Sequence, residues 1–599
     1  MNCYEFDTIV IGSGCAGLNA ADCLKKEGCK RFALVTEGMN MGTSRNAGSD
    51  KQTYYKLGLS SDCTDGVLDM AQTYFDGRCT HGDLAMVEAA NSPAAFFKLV
   101  NLGVPFPKND YGEFVGYRTD HSVQKRATSA GPLTSRYMTE ALEKEVVQSG
   151  IPIFDHMQIV KLVVADGSIA GAIGLDTNTH EFHAFCASSI ILATGGPAAV
   201  YADRVYPGSQ TGMSGMAILA GAKTENLTEW QYGLASIKFR WNVSGTYQQA
   251  LPRYISVDPD GTEHALLTGP DDLGREFQKG YEWPFDSAKA TGSSAIDLLV
   301  HQERAKGRRV FLDYTRDPAG LDFATLPKEA YDYLLASDAL LKTPIARLER
   351  MNPQAIALYR SHGINLFLEP LEIAVCAQHL NGGLAVDIHY ETSIRGLYAV
   401  GEAAGVFGVA RPGGSALNST QVGAMRAAQH IAKKAGNRGT NLKFVTQEAE
   451  RFYKKIAYAP VSNLKKYTSV FPRKMSDFAG FLRDSDEIKQ IYTQVTALLK
   501  DFPSTVQIAK PYELSQYLKL YDTLITTREV LSAMQLWCEH IGVRGGAVLA
   551  NQFGAPQNHG FDQQVICTRC GEAYFEPVRP IPQTDTWFES IWNKQEKGE

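Results

Sequence analysis

Residues 7–37, DTIVIGSGCAGLNAADCLKKEGCKRFALVTE, admit few folds. The apolar run Thr8 to Ile11 predicts a strand, and Gly12-Ser13-Gly14-Cys15-Ala16-Gly17 follows it as a turn. Leu18, Ala21 and Leu24 then share one face of a helix closed by Gly28, and Phe32 to Val35 predicts a second strand. In a strand–turn–helix of this kind Gly12 permits the tight turn, Gly14 lets a pyrophosphate approach the backbone, and Gly17 lets helix and strand pack closely. The free N–H groups and dipole of the helix start face the phosphates. Glu37, twenty residues beyond Gly17, stands where an acid would hold a ribose hydroxyl. The pattern predicts an α/β, Rossmann-like dinucleotide-binding domain.

A chain of 599 residues has room for two to four domains. Its net charge of −6 gives no reason to expect nucleic acid or an anionic membrane as partner. No apolar run approaches the roughly 20 residues that span a bilayer. Eleven cysteines, odd in number and scattered, do not suggest a disulfide framework. These features predict a cytoplasmic chain with reduced thiols.

Along the chain, GMNMGTSRNAGSDKQTYYK after Glu37 reads as a polar loop wrapped around a ligand, with Ser44 inside it. Gly66 to Leu102 and Ser135 to Ser149 read as helices, and Ile151 to Ile191 as an antiparallel meander ending in IILATGG, Ile190 to Gly196. From about Leu234 to Leu371 loops and short strands suggest an inserted α+β domain. Past Leu442 helical periodicity dominates, and the aromatic end, Asp585 to Trp592, is expected to dock. The resulting division is 1–233 and 372–438 for the first domain, 234–371 for the insert, 439–560 for a helical domain and 561–599 for a tail.

Four segments stand in an order that resembles the flavoprotein subunit of succinate dehydrogenase and fumarate reductase, and its relative L-aspartate oxidase. They are the Gly12–Gly17 turn, IILATGG, Leu397 to Val400 with Gly401-Glu402, and ARPGGSALNS from Ala410 to Ser419. The resemblance implies FAD, a capping domain in the inserted segment and a C-terminal helical domain. Gly12, Gly14, Ala16 and Gly17 would hold the pyrophosphate, and Thr36 or Glu37 the adenosine ribose. Ser44, Ala193, Thr194 and Gly195 would line the cofactor, Glu402 would meet ribityl or ribose hydroxyls, and Ser415, Ala416 and Leu417 the isoalloxazine edge. Membrane-bound relatives tether the flavin through a histidine in the loop after the second strand. No histidine precedes His81 here, so FAD is expected to be non-covalent.

Other positions depart from the family. Leu234 replaces one substrate histidine, and Ser293 and Ser294 stand near its proton-delivering arginine, with Arg304 as a candidate if that helix is shifted. Gln378 or His379 occupies the place of the other histidine. In an extended strand neighbours face opposite sides, so the two are alternatives. Arg411 matches the arginine that clamps a substrate carboxylate, a role suited to its planar fork of donors; the alternative is a structural arginine paired with an acid. Arg544 resembles an arginine near the family's active site, with a structural arginine as the alternative. His379 is the first choice for acid–base help, because its unperturbed pKa lies near neutrality, with Tyr232 and Arg544 behind it.

Cys567-Thr568-Arg569-Cys570 has knuckle spacing, but no second Cys/His pair stands nearby to complete a zinc site. Cysteine spacing for an iron–sulfur cluster is missing, so electrons are expected to come from a separate protein, an iron–sulfur protein among the candidates, a diffusible reductant or oxygen. The reading is an FAD-dependent oxidoreductase acting on a small anionic organic substrate other than succinate or fumarate. The alternatives are a flavin dehydrogenase for an amine or sulfur oxyanion, and a non-catalytic electron-transfer component of a larger complex. An oligomer is compatible with the sequence.

Overall fold

The computed structural model describes residues 1–59, 64–119, 122, 124–434 and 441–597. Its centre is a five-stranded parallel sheet in the order Leu397–Ala399, Ser189–Leu192, Thr8–Ile11, Phe32–Val35, Ile153–Phe154. Thr8–Ile11 is wholly buried between neighbours on both edges, as a strand covered on both faces must be. The glycine turn leaves its carboxyl end, where ligands of open α/β sheets bind. The following helix, Cys15–Lys26, buries Leu18, Ala21 and Leu24 and packs against Ser415–Lys434. The meander is the expected antiparallel one, Met157–Ala165, Ser168–Asp176 and Phe182–Cys186, and the N-terminal strand Asn2–Glu5 joins its edge in parallel.

A six-stranded antiparallel sheet forms the body of the cap, in the order Trp241–Asn242, Trp230–Ser236, Leu371–Leu380, Arg309–Asp313, Arg253–Val257, Glu263–Ala265. Two of its strands, Trp230–Ser236 and Leu371–Leu380, run through the positions expected as domain borders, 233/234 and 371/372. They connect the cap to the cofactor domain as paired strands. The expected border at 438/439 lies outside the described residues. Beyond it run the helices Leu442–Tyr453, Leu464–Phe478, Ser485–Lys500 and Leu514–His540.

Within 561–599, Gln564–Arg569 and Glu572–Pro577 form a hairpin paired with Thr224–Glu225. Cys567 is buried on that hairpin, while Cys570 sits exposed in its turn at φ +56°, so the two thiols do not face one site. The aromatic end does not dock: Trp587 and Phe588 are 67% and 68% exposed. Aromatic content supplies apolar area but cannot bury it without a facing surface.

No helix of the described residues is long and apolar enough to cross a membrane.

Candidate active site

A cavity of about 830 Å³ runs from the glycine turn, past the carboxyl ends of the parallel strands, to the cap. At its start, Gly12 has φ +106°, and a β-carbon there would lie 2.4 Å from the Ala193 carbonyl oxygen. A β-carbon on Gly17 would fall 1.8 Å from the Gly12 carbonyl oxygen. Only glycine fits at either place. Gly12, Ser13, Gly14 and Ala16 line the cavity. The first turn of the helix contains no acid, so its N–H groups and dipole are left to an anion, with Ser44 Oγ accepting from Cys15 N–H at 3.2 Å. Thr36 is fastened to this turn by a 2.8 Å bond between its hydroxyl and that of Ser13. Glu37 is paired with Lys519 of the long C-terminal helix. Thr36, Glu37 and Ser44 all line the cavity.

Ala193, Thr194 and Gly195 form the opposite wall. Gln210 holds it by donating Nε2–H to the Thr194 and Gly196 carbonyls at 2.8 and 3.1 Å. Glu402 lines the middle; it accepts from Leu380 N–H at 2.9 Å and from the Tyr206 hydroxyl, and burial raises its carboxyl pKa. Ala416 and Leu417 border the cavity at the start of helix Ser415–Lys434, while Ser415 is buried beneath them.

At the cap end stand Gln231, Gln378, His379 and Arg411, faced by Asn242, Ser244, Gln249, Tyr281 and Trp283. Arg411 makes no ion pair among the described residues. Its Nη2 donates to Gln231 Oε1 at 2.7 Å, its Nε to Asn381 Oδ1 at 3.2 Å, and its Nη1 to Ser415 Oγ at 3.4 Å. These acceptors, and the Pro412 carbonyl at 3.5 Å, are all neutral. Burial lowers the Arg411 pKa to about 10, with Glu402 opposing the shift, so the side chain is a cation at neutral pH. The alternative of a structural arginine paired with an acid is not what the geometry shows.

Gln378 and His379 both face the cavity, contrary to the expectation of opposite sides. Gln231 pairs with His379 and Tyr232 with Ala377, which leaves Gln378 as the extra residue of a β-bulge. A bulge interrupts the period-two alternation and re-aims a side chain. Trp283 Nε1 donates to Gln378 Oε1 at 2.7 Å, so the Gln378 Nε2 group, buried and unpartnered, is its remaining donor.

His379 is not poised near neutrality. Burial first, and the Arg411 guanidinium second, hold it well below the ordinary 6.5. Its Nδ1 lies 3.2 Å from Asn381 Oδ1. Asn381 gives its Nδ2 to the Gly408 carbonyl at 2.8 Å, so Oδ1 can only accept. That assigns the proton to Nδ1 and a lone pair to Nε2.

Other expected residues lie elsewhere. Arg544 is fully buried and bound to Glu229 at 2.6 Å, outside the cavity lining. Tyr232 faces away, its hydroxyl 2.8 Å from that of Tyr201. Leu234 belongs to the cap core. Ser293 bonds to Glu282, Ser294 accepts from Asp286 N–H at 3.0 Å, and Arg304 pairs with Asp203 at 3.5 Å. None of these residues borders the cavity.

The donor set suits FAD: a glycine cradle at a helix start for a diphosphate, Thr36, Glu37 and Glu402 as polar groups able to meet ribose and ribityl hydroxyls, and a second helix start at the far end. A family described as FAD binding domain (FAD_binding_2) matches residues 7–417. The chain belongs to this family. It is 26% identical over 445 residues to one of the subunits of the fumarate reductase (CoM/CoB) of Methanothermobacter marburgensis, covering 72% of this chain and 73% of that one. It is 24% identical over 514 residues to L-aspartate oxidase of Synechocystis sp., covering 82% and 81%. Its fold is that of Mycobacterium smegmatis Sdh1 in the apo form, with a TM-score of 0.74, 18% identity, and coverage of 98% of this chain and 96% of that chain. This is an FAD-dependent oxidoreductase of the fumarate reductase and aspartate oxidase family.

Proposed function

We propose that the protein oxidises or reduces a small organic acid bearing a single carboxylate, held between the cofactor domain and the cap. The observation that carries this reading is Arg411: one half-buried guanidinium, bound to neutral acceptors, on the wall of a cavity whose other cap-end groups are amides, hydroxyls, aromatic rings and the Asp50 carboxyl, itself bonded to Thr246. A cation that loses water when the cavity fills needs an anionic partner, and a substrate carboxylate supplies it. When bound, FAD supplies hydride chemistry. Arg411 orients the carboxylate, Gln378 Nε2 meets a neutral oxygen of the substrate, and His379 Nε2 accepts a proton. Electrons leave or enter through a separate donor or acceptor; the Methanothermobacter marburgensis relative, by its name, is one component of a larger enzyme.

An anaerobic screen of mono- and dicarboxylic acids, with the bound flavin monitored for bleaching or reoxidation, tests the reading. A monocarboxylate is expected to change the flavin's redox state. A response confined to amines or to inorganic sulfur oxyanions would overturn it.

The flavin is held without a covalent bond. No residue from Thr36 to Thr53 is a histidine, and His379, the histidine on the lining, lies among the cap-end residues around Arg411. Acid precipitation is expected to leave FAD in the supernatant, and yellow colour retained by the washed pellet would contradict this.

The pH dependence follows from His379. Its folded-state pKa is depressed, so the neutral, proton-accepting form persists as pH falls through 6.5 and is lost only well below it. The protonation cost to stability likewise appears only on the acid side of 6.5. Turnover in the oxidative direction is expected to keep its alkaline-side value at pH 6, and His379→Gln to lower it by about 10²-fold or more. An acid limb centred at or above 6.5 in kcat/KM would argue against His379 as the base.

A further inference from the structure

Behind the sheet that walls the active site lies a second cavity, of about 550 Å³. The two share strands: Gln231, Gln378 and His379 face the first, while their neighbours Tyr232 and Ala377 face the second. Three parts of the chain meet there. The cofactor domain supplies Asp203, the cap helix Ala295–Ala305 supplies Arg304, and the helical region supplies Arg473 and Asp477.

The charges in this cavity are unevenly satisfied. Arg473 Nη2 donates to both Asp203 and Asp477, at 2.8 and 2.6 Å. Arg304, three-quarters buried, reaches only Asp203, at 3.5 Å, and donates no hydrogen bond among the described residues. Behind the Tyr232 wall and outside the cavity lining, Arg483 is fully buried over the Trp537 ring and gives Nη2 to the Thr228 carbonyl at 2.6 Å. Two guanidiniums, Arg304 and Arg473, line the cavity against two carboxylates, Asp203 and Asp477, and the guanidinium left without a hydrogen bond among the described residues is that of Arg304. Tyr201, Tyr232, Val375 and Phe481 form an aromatic and apolar part of its wall, and His301 and Ser476 a polar part. At about 30 Å³ per water the volume equals about 18 waters, which is space for a small organic molecule.

We propose that this cavity is a second, non-catalytic site for an aromatic or apolar monocarboxylate, its carboxylate on Arg304 and its body against Tyr201, Tyr232 and Phe481. A ligand there would join the cap to the helical region through Arg304, alongside the existing Arg473–Asp203 link. Neither the oxidoreductase assignment nor the role of Arg411 requires this site, so the two stand or fall separately.

Benzoate is the probe, titrated calorimetrically into the FAD-loaded protein while the flavin absorbance is followed. The flavin band reports the first cavity, and the heat reports both. Binding that leaves the flavin spectrum unchanged is expected in the wild type and in Arg411→Gln, to be at least ten-fold weaker in Arg304→Gln, and to be restored in part by Arg304→Lys. Benzoate is also expected to raise the unfolding temperature of Arg411→Gln but not of the Arg304→Gln, Arg411→Gln double variant. Should Arg304→Gln misfold, Gly480→Leu supplies the same comparison. A β-carbon at Gly480 has room, with the Tyr232 ring 3.9 Å away, and a longer side chain there narrows the cavity. Identical spectrally silent binding in wild type and Arg304→Gln, or no binding beyond that removed by Arg411→Gln, would overturn the proposal.

Discussion

Arg411→Ala is expected to fold, keep its flavin and lose about 10²- to 10³-fold in kcat/KM toward the true substrate. Folding should survive because Arg411 makes no ion pair among the described residues, and Glu402, which loses its nearby cation, keeps its bonds from Leu380 N–H and the Tyr206 hydroxyl. The groups it releases are neutral, Gln231 Oε1 and Asn381 Oδ1, and Asn381 stays anchored through Gly408. Activity should not survive, because a positioned cationic donor in a water-poor site commonly contributes about 3–4 kcal/mol to the transition state. Arg411→Lys is expected to recover little: a lysine cannot hold Gln231, Asn381 and a carboxylate at once from one planar group. Absorbance confirms flavin loading, and steady-state kinetics gives the loss. Unchanged kcat/KM in a flavin-loaded Arg411→Ala protein would remove Arg411 from the substrate site.

The parts of the site that are legible in the sequence are those whose requirements are local. Gly12 and Gly17 are demanded by backbone clearances within a few residues or across one strand pair, and strand and helix periodicities surround them. The fold class follows from the same stretch together with the order of the later segments. What is not legible depends on facing and on distance. Residue chemistry favours Tyr232 over Gln231, yet strand alternation turns Tyr232 toward Tyr201 and Gln231 toward Arg411. A shift of one residue in a strand exchanges the faces entirely.

The pairing of Gln378 with His379 on one face needs a bulge set by a partner strand about 150 positions earlier in the chain. Nothing in the local sequence QHL announces it. The Lys519–Glu37 contact joins positions 482 residues apart. Arg544 is singled out in the sequence by its resemblance to an active-site arginine, and only the fold shows that Glu229 already holds it. The acid–base reading of His379 also changes with context. Its side chain lines the cavity, but burial beside Arg411 makes it a proton acceptor rather than a group that titrates near neutrality.

These features lead to the last expectation: the protein does not reduce fumarate at a useful rate, despite sharing the fold of enzymes that do. Fumarate carries two carboxylates. Arg411 can pair with one. The second would face Gln231, Gln378, Asn242 and Trp283, none of which is charged, and no lysine or arginine from residues 234–371 lines the cavity. Lys51 and Arg118 do line it, but both are exposed to solvent. A desolvated carboxylate without a partner costs several kcal/mol, more than amide hydrogen bonds return. Reduction also requires a proton on the carbon next to the one that receives hydride, from a group within hydrogen-bond reach. His379 is neutral at the pH of such an assay. Ser293 is bound to Glu282, Ser294 to the Asp286 N–H, and Arg304 stands in the second cavity. An anaerobic assay with reduced viologen and fumarate is expected to show turnover at least 10³-fold below the usual enzyme median of about 10 per second. The double change Gln378→His, Asn242→Arg, which restores a cation and a donor opposite Arg411, is expected to raise the affinity for dicarboxylates measured by flavin perturbation before it raises turnover, since it supplies charge but no relay. Wild-type turnover near the median would show that a cation reaches the second carboxylate after all, and the single-carboxylate reading of the cavity would fall with it.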